Sequence, residues 1–448
     1  MDWDHLAEEK SQKLFAAWLT VLSRESPTLP LSLAAKHRLG FTPVEASDFT
    51  TGAYNICSVV TFEDGFRVVV RFPILGRSRF RTEKSNDEIP TMQFLKQQTR
   101  LRVPGVLGAG QCSCGPYIVI TFLEGIVLSR RLRNPPTESA SLNGPESDIN
   151  RAYYAMARIL LELSKPTFST IGAIKFDSGA WKVAKRPLSL NMNELVRVGN
   201  LPPGIFSKNT FQTASEYFQE LATQQFLHLE YQRNDAIENE HDCRKKYIAR
   251  CLFRKIAREI QTESDSFRLY CDDLRPSNVL ITEPDFMISG VIDWEFTYVA
   301  PAEFTYAAPW WLLFESPEEW ESDLNAFLAR YKPRLQLFLK ALRDCEDREV
   351  RRGSMTESQR LSDRMARSID DGLFWFCLAA RRSFMFDEIY WSFLDEKHFG
   401  PLGSLDDRLP LLSQQERDGL DGFVQKKLRQ AEEKRLDENS TLDDIVDL

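Results

Sequence analysis

Apolar and polar residues follow one pattern in the first third of the chain and another in the rest. Residues 4–23 carry apolar side chains at helical spacing, which predicts an amphipathic opening helix. The β-branched residues over 55–62 and 66–72 predict two strands joined by a hairpin turn at Glu63-Asp64-Gly65. Similar patterns predict a helix at 86–99 and strands at 106–111 and 117–122.

Helical patterns dominate after Leu123-Glu124-Gly125, which ends the strand pattern and is the expected boundary between two lobes. Residues 133–147, rich in Pro, Ser, Asn and Glu, predict an exposed loop. The charged tail from Gln414 predicts a solvated helix that frays toward Asp443-Asp444. The helices predicted in between are 149–163, 210–237, 241–262, 317–331, 333–347 and 360–386.

We therefore expect an α+β fold with a small antiparallel β-sheet lobe and a larger, mainly helical lobe. Its expected parts are a helical extension (1–40), the sheet lobe (41–123), the helical lobe (124–410) and a charged tail (411–448).

Composition narrows the classes of protein. The chain has 448 residues, 43% of them hydrophobic, and a net charge of −8, which argues against a nucleic-acid partner. No stretch is apolar enough for a membrane span, and the N-terminus lacks the pattern of a secretory signal. Eight scattered cysteines form no disulfide framework, so a reduced, cytoplasmic location is expected.

Polar residues interrupt the apolar run LYCDDLRPSNVLI and the run GVIDWE that follows it. Asp273, Asn278 and Asp293 stand where buried strand residues are expected, and buried carboxylates are costly unless they are paired or bound to a cation. They either form a structural network or hold a metal. Asp273 and Asn278 have the spacing of a kinase catalytic loop, and Asp293 follows where a second metal ligand belongs.

These motifs resemble the aminoglycoside phosphotransferase (choline-kinase-like) family, and most closely a large ascomycete subgroup of it. The resemblance also includes VVVRFPILG, GPYIVITFLEG and PLSLNMNELV, and it covers about residues 49–400. It implies a bilobal protein-kinase-like fold with ATP and Mg2+ as cofactors.

The resemblance assigns a role to each matching residue. Asp273 would be the catalytic base, and Asn278 and Asp293 would be the magnesium ligands. Arg71 would replace the phosphate-binding lysine, with Glu88 as its partner. The residues expected at the nucleotide are Gly52 and Asn55 of the turn 51–55, over the phosphates, and Thr121, Phe122 and Leu123, at the adenine.

The chain departs from the family pattern at three positions. Cys271-Asp272 stands where the family has His-Gly, so the loop must be supported differently. Arg71 is bulkier and forked compared with lysine, and Gly52 is a single glycine. Lys84 is the second candidate for the phosphate clamp, and Arg275 and Glu295 are candidates for either a substrate contact or a pairing role.

We expect an ATP- and Mg-dependent phosphotransferase acting on a hydroxyl of a small molecule. The alternative is a pseudokinase that binds nucleotide or a protein partner without phosphoryl transfer. The sequence does not identify which protein such a partner would be. The acceptor pocket is expected around 304–321 and 368–391. Aromatic residues there, such as Trp310, Trp311, Trp320 and Trp375, would form either core or a cage for a cationic substrate, and the core is favoured.

Overall fold

The computed structural model describes residues 2–133, 148–262, 266–283, 286–320 and 323–439. The predicted loop at 133–147, apart from its first residue, and the predicted fraying at Asp443-Asp444 lie outside this range. The strands are β1 (Pro43–Ala46), β2 (Thr50–Thr51), β3 (Asn55–Phe62), β4 (Arg67–Pro73), β5 (Val106–Cys112), β6 (Gly115–Thr121), β7 (Ile126–Val127), β8 (Ala173–Asp177), β9 (Ala180–Lys185), β10 (Arg268–Cys271), β11 (Val279–Thr282), β12 (Met287–Val291) and β13 (Thr297–Ala300).

The helices precede, interrupt and follow these strands along the chain. They are α1 (His5–Arg24), α2 (Thr28–His37), α3 (Arg81–Gln98), α4 (Leu128–Arg133), α5 (Asp148–Ser164), α6 (Leu190–Arg197), α7 (Ala214–Tyr231), α8 (Glu240–Glu259), α9 (Ala302–Tyr306), α10 (Leu324–Arg351), α11 (Ser362–Arg367), α12 (Leu373–Arg381), α13 (Phe386–Ile389), α14 (Asp395–Phe399) and α15 (Gln414–Glu433).

The first six strands form one antiparallel sheet in the order β1-β3-β4-β6-β5, with β2 pairing on β3. Buried and more exposed residues alternate along β3, because successive side chains of a strand point to opposite faces. The buried face packs against α1 through Trp18 and Leu22, around Ile56, Val60 and Val70. The antiparallel sheet predicted from the sequence is therefore confirmed.

The rest of the chain is mainly helical around a second, larger core that is rich in aromatic side chains. Three short sheets lie in this part: β10 with β13, β8 with β9, and β12-β11-β7. Within the parts of the chain that the structure describes, no helix is long and apolar enough to cross a membrane. The α+β architecture predicted from the sequence is thus confirmed.

Helix α1 contacts both the sheet and the helical part. Trp18 donates its indole N–H to the Cys114 carbonyl at 2.8 Å, which holds α1 on the sheet. At the other end, Asn234 Nδ2 donates to Asp4 Oδ2 at 2.9 Å, and the Asp4 N–H donates to the Val198 carbonyl at 2.9 Å. The same Asp4 carboxylate caps the start of α1. The N-terminal helix therefore joins the two parts of the molecule.

Two predicted helix boundaries are wrong because polar side chains obscure the buried face. The helix predicted at 86–99 begins at Arg81, and its buried residues include Arg81, Lys84 and Glu88. The helix predicted to begin at 210 begins at Ala214, after a capping box made by Thr213 and Glu216. A hydrophobic pattern cannot reveal a helix face that is buried and charged.

The two helices predicted at 317–331 and 333–347 are one helix, α10, with Pro333 inside it. Proline removes one backbone hydrogen bond, and burial of Phe327, Tyr331 and Phe338 on the same helix offsets that loss. Among the described residues before it, Pro317–Glu319 form a short 3-10 turn.

The helix predicted at 360–386 is broken. Gly372, with φ of 89°, starts α12 in the left-handed region, which interrupts the helix that ends at Arg367. The tail helix predicted from Gln414 is present as α15, but one face of it is not solvated, since it buries Leu420 and Val424 against the core. The hairpin β8–β9 was not predicted.

Candidate active site

The loop between β10 and β11 contains Asp273 and Asn278, the two polar residues predicted from its motif. Their side chains are in direct contact. A 3-10 turn, Pro276–Asn278, brings the chain back after Asp273. Asn278 Nδ2 donates to the Asp273 carbonyl at 2.8 Å and to its Oδ2 at 3.2 Å. Arg275 Nε lies 3.1 Å from the other carboxylate oxygen, Oδ1. Asp273 is 7% exposed, and burial raises its pKa.

The hairpin β11–β12 returns the chain to the same place. The Ile292 N–H donates to the Asn278 carbonyl at 2.9 Å, so the next residue, Asp293, lies beside the loop. Asp293 has φ of 64°, in the left-handed region, which turns the chain sharply at the end of the strand. Burial, reinforced by the charge of Glu295, raises the pKa of Asp293 well above its ordinary value.

Arg71 bridges the sheet, helix α3 and the segment after β12. Its guanidinium contacts the Glu88 carboxylate, and its Nη1 lies 3.4 Å from Asp293 Oδ1. Glu88 Oε1 also accepts the Trp294 N–H at 3.2 Å. The side chains of Arg71 and Glu88 are 7% and 1% exposed, so this is a buried ion pair.

A second buried cation lies beside the first. Lys84 lies one turn before Glu88 on α3. Its ammonium contacts the Glu295 carboxylate, and its Nζ donates to Asn55 Oδ1 at 2.9 Å. Asn55 Nδ2 in turn donates to Glu295 Oε2 at 2.9 Å. The sequence suggested Lys84 and Glu295 only as secondary candidates. The one signal for them is that both stand close to stronger motif residues along the chain.

A backbone hydrogen bond closes the turn around Gly52. The Gly52 N–H donates to the Asn55 carbonyl at 2.8 Å, and a side chain at Gly52 would bring its Cβ to 3.2 Å from that oxygen. Tyr54 packs edge-on against Phe296, 5.7 Å between ring centroids. Gly52 therefore lies in a tight turn that Asn55 and Tyr54 attach to the rest of the site.

In the segment predicted to face adenine, two of the three backbone N–H groups already form hydrogen bonds within the protein. The Thr121 N–H donates to the Gly105 carbonyl at 2.8 Å, and the Phe122 N–H donates to the Arg67 carbonyl at 3.1 Å. Of the three predicted residues, Leu123 is the one whose backbone N–H has no partner among the residues that the structure describes.

Cys271 and Asp272 support the loop in place of a His-Gly pair. Asp272 Oδ2 accepts the Leu190 N–H at the start of α6 at 2.9 Å, and Arg381 Nη1 lies 3.4 Å from Oδ1. Cys271 is buried, with its Sγ 3.8 Å from the Glu295 carbonyl. The extra carboxylate thus anchors the loop to two helices, a contact that the sequence did not reveal.

The large aromatic side chains near the expected acceptor region belong to the core. Trp310, Trp311, Trp320 and Trp375 are all less than 10% exposed and pack within the same cluster. Trp375 stacks on Phe393 at 3.7 Å between centroids. The predicted core role of these residues is confirmed.

Opposite charges nearly balance around the loop. Four carboxylates, of Glu88, Asp273, Asp293 and Glu295, contact three cations, of Arg71, Lys84 and Arg275. The Asn278 amide N–H donates to Asp273, so the Asn278 Oδ1 remains available as a metal ligand. Carboxylate and amide oxygens with a net negative charge fit Mg2+, which prefers oxygen ligands.

A family model described as "Phosphotransferase enzyme family" (APH) matches residues 52–342, well over half of the chain. The matched range contains every residue discussed above at the loop, the hairpin and helix α3.

Two curated relatives are each named "Altered inheritance of mitochondria protein 9, mitochondrial". The chain is similar to that of Debaryomyces hansenii (22% identical over 294 residues) and of Clavispora lusitaniae (25% over 287 residues). These matches cover 56% and 54% of this chain and 46% of each relative, so the chain spans about half the length of the relatives it matches.

Two solved structures also align with most of the chain. One is an aminoglycoside 2'-phosphotransferase in complex with GDP (14% identity, 90% of this chain, 95% of that chain, TM-score 0.41). The other is an amicoumacin kinase in complex with AMP-PNP, Ca2+ and Ami (14% identity, 91% and 95%, TM-score 0.41).

Proposed function

The chain belongs to the phosphotransferase enzyme family, and from that premise we propose that it transfers the γ-phosphoryl group of ATP to a hydroxyl group of a small molecule. The observation that carries the proposal is the contact of Asp273 with Asn278, next to Asp293, beside Arg71, which bridges Glu88 and Asp293. Phosphoryl transfer needs such a set: a base, oxygen ligands for a metal and a cation for the phosphates.

Asp273 is the proposed catalytic base. Its carboxylate is held by Asn278 on one oxygen and by Arg275 on the other, so its orientation is fixed before any acceptor arrives. A positioned carboxylate accepts the proton of the acceptor hydroxyl as the oxygen attacks phosphorus. Burial raises the pKa of Asp273, which makes it a better proton acceptor than an exposed aspartate.

Asn278 and Asp293 are the proposed magnesium ligands. A bound Mg2+ would neutralise charge on the β- and γ-phosphates. The left-handed backbone at Asp293 turns its side chain out of the strand, beside the loop that ends at Asn278. Burial and the charge of Glu295 raise the pKa of Asp293, and a bound cation would stabilise its ionised form.

Arg71 is the proposed phosphate clamp, since its guanidinium lies between Glu88 and Asp293 and is nearly fully buried. Lys84 is a weaker candidate, because its ammonium is already held by Glu295 and Asn55. We propose that Gly52 and Asn55 border the phosphates. Leu123, whose backbone N–H has no partner among the described residues, would contact the adenine. Thr121 and Phe122 would shape the same edge.

The alternative proposal is a pseudokinase that binds nucleotide without transfer. The observation that favours it is the contact between Arg71 and Asp293, since a cation on that carboxylate competes with a metal. The observation that favours the enzyme is Asp273, whose carboxylate is held by Asn278 and Arg275 in the fixed orientation that a catalytic base needs. For the compartment, the sequence favours the cytoplasm, and the names of the two relatives favour mitochondria.

A coupled assay tests the proposal directly. Purified protein would be incubated with Mg-ATP and separate panels of amino alcohols, sugars and hydroxy acids, and ADP release would be followed against an Asp273→Asn control. Acceptor-dependent ADP release by the parent alone supports the enzyme. Tight Mg-ATP binding without release for any acceptor, in both proteins, supports the pseudokinase.

A further inference from the structure

A groove lies between α5, α10 and the hairpin β11–β12, on residues that take no part in the proposed phosphoryl transfer. Two cavities of about 560 Å³ and about 690 Å³ share Tyr154, Arg158, Met287, Ile288 and Arg348, so they form one continuous depression. We call it the basic groove. Its basic side chains are Arg100, Arg102, Arg151, Arg158, Lys340, Arg348 and Arg352.

The basic groove carries local positive charge on a chain whose net charge is −8. Seven basic side chains line it, against three acidic ones. Glu162 and Glu349 both contact Lys165, which lies outside the lining, and Glu349 also pairs with Arg352 inside it. The seven basic side chains still outnumber the three carboxylates, so the groove keeps a net positive charge that attracts anions.

Five guanidinium groups of the basic groove have no carboxylate within ion-pair distance in the parts of the chain that the structure describes: Arg100, Arg102, Arg151, Arg158 and Arg348. Arg348 lies over the ring of Tyr154 at 4.9 Å, and Arg151 lies 6.0 Å from the ring of Phe286. A guanidinium that lies near an aromatic ring and has no carboxylate partner keeps N–H groups with which to bind an anion.

The floor of the groove is apolar. Ile159, Leu161 and Cys345 lie beneath it and are at most 3% exposed, whereas Leu101, Ile288 and Leu337 are partly exposed and supply its accessible apolar surface. Met287, which is 56% exposed, stands at its edge on the hairpin. Cations around an apolar floor match a ligand with an anionic group at one end and an apolar body at the other.

We propose that the basic groove binds a phosphorylated amphiphile, a single molecule with a phosphate group on an apolar body. Arginine pairs with phosphate through two parallel hydrogen bonds, and several guanidiniums around one depression suit a group with three charged oxygens. The volumes of the two cavities fall in the range of small-molecule sites.

The groove is separate from the proposed nucleotide site but lies behind one of its strands. Met287 and Ile288 begin β12, which ends at Val291, two residues before Asp293. The Val291 N–H donates to the Arg102 carbonyl at 2.8 Å, on the segment that lines the groove. A ligand here would contact the back of β12, so saturating Mg-ADP should not displace it.

Calorimetric titration with dioctanoyl phosphatidic acid below its micelle concentration tests the proposal, in the presence of saturating Mg-ADP. The test variant is Arg158→Gln with Arg348→Gln, and the matched control is Arg343→Gln with Arg351→Gln, exposed arginines of α10 that do not line the groove. All four positions are exposed, and equal melting temperatures would verify folding. We expect binding to weaken at least about tenfold in the test variant and to be unchanged in the control.

Three further ligands define what is bound. Dioctanoyl phosphatidylcholine and inorganic phosphate should each bind much more weakly, since one lacks the accessible phosphate monoester and the other lacks the apolar body. Co-sedimentation with vesicles containing phosphatidic acid, compared with titration of dodecyl phosphate, tells a lipid taken from a membrane from a free phosphate ester. Equal binding by both double variants, equal binding of phosphatidylcholine, or preference for an acidic amphipathic peptide would overturn the proposal.

Discussion

The ammonium of Lys84 contacts the carboxylate of Glu295, and the two side chains are 2% and 1% exposed. One lies on α3 beside the sheet, and the other follows Asp293 in the helical part, so a buried ion pair joins the two halves of the site. Asn55 completes this contact by bonding to both partners. The pair therefore determines stability as well as the shape of the site.

Replacing Lys84 by Met should lower the free energy of unfolding by about 3–5 kcal/mol, because it leaves the Glu295 carboxylate buried without its counter-charge. The double variant Lys84→Met with Glu295→Leu should regain part of that loss. Urea unfolding measures both, with Lys96→Met, an exposed lysine on the same helix, as the control. A loss in Lys84→Met no larger than in the control would show that the pair is not stabilising.

Asp273→Asn should retain nucleotide binding and lose turnover by about 10²- to 10⁴-fold, because a positioned base contributes that much to a proton transfer. The amide preserves the size of the side chain and its hydrogen bond with Asn278. Calorimetry with Mg-ADP and the coupled assay separate the two effects. Unchanged turnover with a verified acceptor would remove Asp273 from catalysis.

ATP should bind well only with magnesium, because the carboxylates around Asp293 oppose the phosphate charge unless a cation lies between them. Calorimetric titration with and without EDTA measures this. Asp293→Asn should reduce the difference between the two conditions. Equal affinity of the parent with and without the metal would contradict the assignment and favour the pseudokinase.

Arg71→Ala should raise the Michaelis constant for ATP and lower turnover together. Since the Glu88 side chain is 1% exposed, the same change should also destabilise the fold, so activity must be measured well below the melting temperature. Arg71→Lys retains the charge but not the fork that reaches both Glu88 and Asp293, and partial activity is expected. ATP turnover by Arg71→Ala equal to the parent would mean that the phosphate clamp lies elsewhere, with Lys84 next.

The buried Lys427 of α15 predicts a dependence of stability on pH. Burial lowers the pKa of its ammonium to about 7 from 10.5, and the ammonium donates to the Gln232 carbonyl. Between those two pH values the unfolded chain binds more protons at this position than the folded one, so stability should rise with pH. Lys427→Met should remove this rise. Urea unfolding at pH 7 and pH 9.5 measures it, and identical pH dependence in parent and variant would contradict it.

The strands and the loop motif could be predicted from the sequence because their signals are local. The alternation in β3 and the spacing from Asp273 to Asn278 both lie within a few residues. Lys84 with Glu295, and Asp272 with Arg381, join residues more than 100 positions apart, and no short pattern encodes such a contact.

The helix boundaries failed for a related reason. Arg81 and Lys84 are charged but buried, so the polar side of α3 faces inward and its hydrophobic pattern is weak. Pro333 ends a helix in most contexts, whereas here the packed face of α10 carries the helix through it. In both cases tertiary packing overrode local preference.

The attachment of α1 at both ends has a mechanical consequence. A helix of 20 residues is a stiff rod about 30 Å long, held by Trp18 at the sheet and by Asp4 at the helical part. A rod of fixed length between two bodies keeps their separation constant along that edge while allowing them to pivot about it. Opening and closing around a nucleotide should therefore be a rotation about α1 rather than a straight separation. Cleavage of the chain between Asp4 and Trp18 would remove this constraint.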